Sequence, residues 1–142
     1  MRVQVGEVVV IDPANATARV KFEELDGKVS APLRMVFSQT LKTKHYSMPS
    51  VGEHVLCLFT KETEGFILGS FYSEETEPPR NDPSKYVKAY EDGSLIEYDT
   101  VSHTLSLDIV GDIHIRSGAG NIVTVNGQML SNTGTLTPKG SG

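Results

Sequence analysis

The stretch from Val101 to Val125 limits what this chain can fold into more than any other part of it. Between Val101 and Ile115 nearly every odd position is apolar or small, namely Val101, Leu105, Leu107, Ile109, Gly111, Ile113 and Ile115, with His103 the exception. The even positions are mostly polar, namely Ser102, Thr104, Ser106, Asp108, Asp112 and His114, with Val110 the exception. Alternation with period two is the pattern of an extended strand that is apolar on one side. A short unit also recurs from Leu105, from Ile113 and from Ile122, each a brief strand closed by Gly and Asp or Asn. Repeats of this kind stack on neighbours, because one unit alone leaves its apolar face in water. Burying Leu105, Leu107, Ile109, Ile113 and Ile115 is worth roughly 1.5 to 3 kcal/mol each, a sum comparable with the whole stability of a small domain. Two arrangements meet that demand. Other copies of the chain cover the stripe in a closed assembly about a common axis, or the stretch is one sheet of a sandwich within a single chain. The expected core of such an assembly is Leu105, Leu107, Ile109, Ile113, Ile115 and Ile122, with Gly93, Gly111, Gly118 and Gly127 at the turns.

Composition narrows the function classes. The 142 residues allow one or two small domains, and 38% hydrophobic content fills a modest core. A formal charge of -5 argues against a general nucleic-acid binder, which needs a basic face to neutralise phosphates. The single cysteine, Cys57, excludes an intrachain disulfide and lies in an apolar run, as a small buried thiol does. No apolar run approaches the ~18 residues of a membrane helix. Met1 to Gly6 lacks the order of a signal peptide, so synthesis and assembly in the cytosol are expected.

Upstream of the repeats the signals are short strands and turns. Val3 to Ile11 is Val-rich, Asp12-Pro13-Ala14-Asn15 supplies turn chemistry, and Ala16, Ala18, Val20 and Phe22 then alternate with polar residues, which reads as a hairpin. After a turn at Leu25 to Lys28, alternation continues through Val29, Ala31, Leu33, Met35 and Phe37, with Pro32 marking an edge or bulged strand. His54 to Phe59 and Phe66 to Tyr72 complete a set of short strands typical of a small OB-type barrel, and no helix is expected. A Glu- and Pro-rich linker follows, and then two more strands around the turn Glu91-Asp92-Gly93-Ser94. The expected layout is an all-β chain with a barrel at 1–74, a linker at 75–85, a repeat segment at 86–127 and a Gly/Ser/Thr-rich tail at 128–142.

Taken in order, Pro49-Ser50-Val51-Gly52-Glu53-His54-Val55-Leu56 and Gly65-Phe66-Ile67-Leu68-Gly69-Ser70-Phe71-Tyr72 look like the closing OB strands of a known family. Pro78-Pro79, Asp92 to Asp99, His103-Thr104-Leu105 and Gly111-Asp112-Ile113 continue the match over about Val5 to Val125. The chain resembles the phage baseplate assembly protein V family, the central spike of contractile tails, and more distantly the valine-glycine repeat spike of type VI secretion. That resemblance implies a homotrimer whose OB domains form a collar on the tail hub and tube. Its three C-terminal segments would wind into a β-helix or β-prism that pierces the target cell envelope, in a virion or phage-like particle assembled in the bacterial host cytoplasm. Many family members end in a His-x-His pair that binds iron at the apex. His103-Thr104-Leu105 departs from that pattern and His114 is flanked by isoleucines, so no metal or cofactor is expected and His114 is the one candidate ligand. The missing pair suggests a blunt needle capped by a separate tip protein, with 128–142 as a docking or flexible tail.

Two functions of other classes remain as rivals. An enzyme would need paired carboxylates across a cleft or a phosphate-binding motif. Glu23-Glu24 and Glu74-Glu75 read as solvated surface, Asn132-Thr133-Gly134 and Lys139 to Gly142 only superficially resemble the tails of trimeric nucleotide hydrolases, and no catalytic residue is expected. A free OB module binding single-stranded nucleic acid or oligosaccharide would need aromatic platforms beside positive charge. Phe22, Phe37, Tyr46, Phe59 and Phe66 fall mostly in phase with core positions, and Lys42, Lys44 and His45 form the one basic spot.

Overall fold

The computed structural model describes residues 1–116 and Gly118, and these separate into two compact units, the first 1–81 and the second beginning at Asp82. Nine strands and one 3-10 turn make up the regular structure of the described residues. The first unit holds β1 (Arg2–Asp12), β2 (Thr17–Phe22), β3 (Lys28–Val29), β4 (Leu33–Met35), β5 (His54–Phe59) and β6 (Gly65–Ser70). Hydrogen bonding runs β1-β5-β6-β4-β2, and a further β1–β2 pairing closes five of these strands into an OB-like barrel with β3 hung on β2. The β4–β6 contact is parallel and the other pairings are antiparallel.

Alternation decides what fills the barrel. In β2, Ala18, Val20 and Phe22 point inward, and in β5 Val55, Cys57 and Phe59 do the same. With Val8, Leu33 and Ile67 they form the buried core, and Phe22 meets Phe59 edge to face with ring centroids 5.7 Å apart. Gly6 lets the barrel close. A Cβ there would lie 2.5 Å from Val20 Cγ1 and 2.6 Å from the Lys21 carbonyl oxygen, so only a residue without a side chain lets β1 pass over β2. The loop before β5 is fastened to β1 by Val8 N–H donating to Glu53 O and Gly52 N–H donating to Val8 O. Glu53 in turn accepts hydrogen bonds from Ser70 Oγ at 2.6 Å and from Ser50 N–H at 3.3 Å.

Three local expectations change. The alternating run from Val29 to Phe37 is two strands, β3 and β4, parted by Ser30, Ala31 and Pro32. Pro32 has no N–H for a ladder, and Ser30 takes over the pairing with β2, its N–H donating to Val20 O and its Oγ accepting from Val20 N–H. The turn after β2 begins earlier than expected, as a 3-10 turn Glu23–Leu25 that ends on Asp26 in the left-handed conformation (φ 56°). In the second unit the long alternation from Val101 to Ile115 yields one strand, β9 (Thr104–Asp108), which joins β7 (Lys85–Ala89) and β8 (Leu95–Asp99) in an antiparallel sheet of order β7-β8-β9.

Candidate self-association surface

Register sorts the residues of this three-stranded sheet onto two faces. Tyr86 pairs with Tyr98 and Tyr98 with Leu105, while Lys88 pairs with Ile96 and Ile96 with Leu107. Opposed residues share a face, so Tyr86, Lys88, Ile96, Tyr98, Leu105 and Leu107 lie together, with Lys88 the one charged residue among them. The other face carries Lys85, Val87, Ala89, Leu95, Glu97, Asp99, Thr104, Ser106 and Asp108. One side is mostly apolar and the other mostly polar.

The apolar side is in solvent. Leu105 is 62% exposed, Leu107 47% and Tyr86 65%, and Ser94 is the only buried residue among the described residues of this unit. A single sheet layer has no second layer to cover it, and burial needs two. The barrel, by contrast, encloses its own core.

The turns of this sheet are built by aspartates. Asp82 Oδ1 accepts from Ser84 Oγ at 2.7 Å and Ser84 N–H at 2.9 Å, Asp92 Oδ1 accepts from Ser94 N–H, and Asp99 Oδ1 accepts from Val101 and Ser102 N–H. Hydrogen bonds to the ionised form favour it, and they hold these three exposed carboxyls below the usual range. For Asp82 the Ser84 hydroxyl is the largest cause, for Asp92 the Ser94 amide, and for Asp99 the Val101 amide. Gly93 supplies the positive φ (93°) that its turn requires. Ser94 is held twice, donating its N–H to Asp92 and accepting Val110 N–H on Oγ at 3.1 Å.

These turns also explain the shortened strand. Asp99 captures the amides of Val101 and Ser102, and His103 adopts φ 58°, so Val101 to His103 is a turn. The ladder ends at the other side because Asp108 pairs with Leu95, the first residue of β8. Residues 109–116 have no strand partner among the described residues. Ile113 (53%) and Ile115 (59%) are exposed, and Ile109 is half-buried beside Tyr90, Ser94 and Ile96 in an open hollow. A side chain at Gly111 or Gly118 would meet nothing within 4 Å. Ile122, Gly127 and the tail 128–142 lie outside the described residues.

Chemistry of other kinds finds little purchase among the described residues. No group of three or more His, Cys, Asp or Glu is placed to hold a metal, and His114 is exposed and single in one copy of the chain. Burial pushes the Cys57 thiol up to about 11, so it is a protonated core group at neutral pH. Phe22 and Phe59 are 2% and 4% exposed, which removes them as stacking platforms for bases. Phe37 and Tyr46 stack on each other at 6.1 Å. No described helix is long and apolar enough to cross a membrane.

The barrel and the one-sided sheet define an all-β protein whose exposed apolar face is its most distinctive surface. No family model matches the chain, and no curated protein is significantly similar to it.

Proposed function

We propose that this protein is the structural central spike of a contractile tail baseplate, on a phage or phage-like injection particle, and that it acts as a homotrimer without catalysis. In this role the OB-like barrel joins the tail hub and tube. The 86–127 segments from three copies wind into a β-prism that pierces the target envelope, with a separate tip protein at its end. The observation that carries the proposal is the exposed face of Tyr98, Leu105 and Leu107 on a ladder that stops at Asp108, leaving Ile113 and Ile115 without strand partners among the described residues. Strands from two further copies would supply both the missing second layer and the missing ladder. A closed prism has few free edges and resists splaying, so it transmits force.

Sedimentation equilibrium tests the assembly. A species near three times 15.5 kDa supports the spike, and a clean monomer at micromolar concentration overturns it. The envelope role is tested by purifying the intact particle and locating the chain on its axis by cryo-electron microscopy.

A further inference from the structure

A groove of about 470 Å³ opens at one end of the barrel, between the turn after β2, the β3–β4 connection and the β5–β6 loop. Its floor is the edge-to-face pair Phe22 and Phe59, and its aliphatic wall is Leu25 and Val29, 37% and 45% exposed. The volume falls within the range of sites that take a small ligand or a few side chains.

Charge separates the groove from an ordinary apolar dent. Glu24, Asp26 and Glu62 stand at it, and none of the three is in an ion pair among the described residues. The neighbouring lysines are engaged elsewhere, Lys21 with Glu23 at 3.1 Å and Lys61 with Glu64 at 3.6 Å. Arg2 indicates what the floor accepts: its guanidinium carbon lies 4.3 Å from the centroid of the Phe59 ring, a cation held against an aromatic face. With Lys28 the cations number two against three carboxylates. Phosphate-bearing ligands would meet those carboxylates at close range, whereas a basic side chain would find unpaired acceptors.

We propose that this groove binds an extended peptide segment of a partner protein in which an aliphatic side chain stands next to an arginine or lysine. The aliphatic group packs on Leu25 and Val29 above the buried rings, and the cation reaches Glu24, Asp26 or Glu62. The site lies wholly within the barrel unit and does not depend on trimer formation.

Fluorescence anisotropy of the full chain tests it, with a labelled pentapeptide carrying adjacent leucine and arginine at its centre. The same peptide with glutamate for arginine and a labelled oligothymidylate serve as the competing ligands. Saturable binding of the arginine peptide is expected, weakened about tenfold or more by the glutamate exchange and by rising salt. The combined variant Glu24→Gln, Asp26→Asn and Glu62→Gln should lose binding to the same degree with an unchanged circular dichroism spectrum, since all three side chains are exposed and Asn tolerates the left-handed backbone at 26. No saturable signal, equal binding by the glutamate peptide or the oligonucleotide, or full binding by the triple variant would each overturn the proposal. Sedimentation of the same samples reads the trimer independently.

Discussion

Replacing Leu107 by aspartate places a carboxylate on the exposed apolar face, on its edge strand β9. Leu107 is 47% exposed, so its own sheet already covers about half of it, and assembly would cover the remainder. Full burial of a leucine is worth roughly 1.5 to 3 kcal/mol, so the assembled share is about 1 kcal/mol per copy and about 3 for three copies. The larger effect is the charge, since three carboxylates brought into one apolar seam cost several kcal/mol each, and the one cation on this face, Lys88, stands two strands away on β7. Each 1.4 kcal/mol is a tenfold change in an equilibrium constant, so Leu107→Asp should shift a trimer to monomer at micromolar concentration. Ser106→Lys, on the opposite face of the same strand and directly opposite Glu97, supplies the charged control and should leave the mass unchanged. Sedimentation equilibrium on wild type and both variants reads the outcome directly. A Leu107→Asp protein with the same mass as a trimeric wild type would refute the seam, as would loss of assembly in both variants alike.

Gly6→Ala should destabilise the barrel by about 1 to 3 kcal/mol, because its Cβ would meet the Lys21 backbone oxygen as well as a side chain; urea unfolding monitored by circular dichroism measures this, and an unchanged midpoint would contradict the close approach. Cys57 should react with a thiol reagent only on unfolding, and Cys57→Ser should cost about 1 to 3 kcal/mol by burying a hydroxyl in an apolar core; rapid labelling of the folded protein would contradict this burial. Asp82, Asp92 and Asp99 have carboxyls lowered below the ordinary 3.8, so their contribution to the turns is present above that pH and is lost as the pH falls through their folded values. Carbon-detected NMR should find all three titrating below ordinary aspartates, with the amides of Ser84, Ser94 and Val101 shifting in step; titration at the ordinary value would remove the capping role.

Period two in β2 and β5 made the core legible from residue types alone, because alternation fixes which side chains share a face whatever the strands pair with. Val20, Val55, Cys57 and Phe59 are buried for that reason. The break between β3 and β4 was half legible: Pro32 marks it, but the pairing of Ser30 with Val20 depends on where the returning strand happens to lie. The groove at the barrel end left no pattern in the sequence, since Arg2, the stretch from Leu25 to Val29 and Glu62 are far apart along the chain and meet only when the barrel closes.

From Val101 onward the sequence determined that one face is apolar and one polar, and just upstream that Glu91 to Ser94 is a turn. Only tertiary structure decided where the strand begins and ends, because side-chain capture by Asp99 and the length of β8 set the limits of the ladder. Alternation is a local property of covalent geometry and survives in any context. The extent of a strand is a property of its neighbour, and a hydrogen-bond ladder stops where the neighbour does.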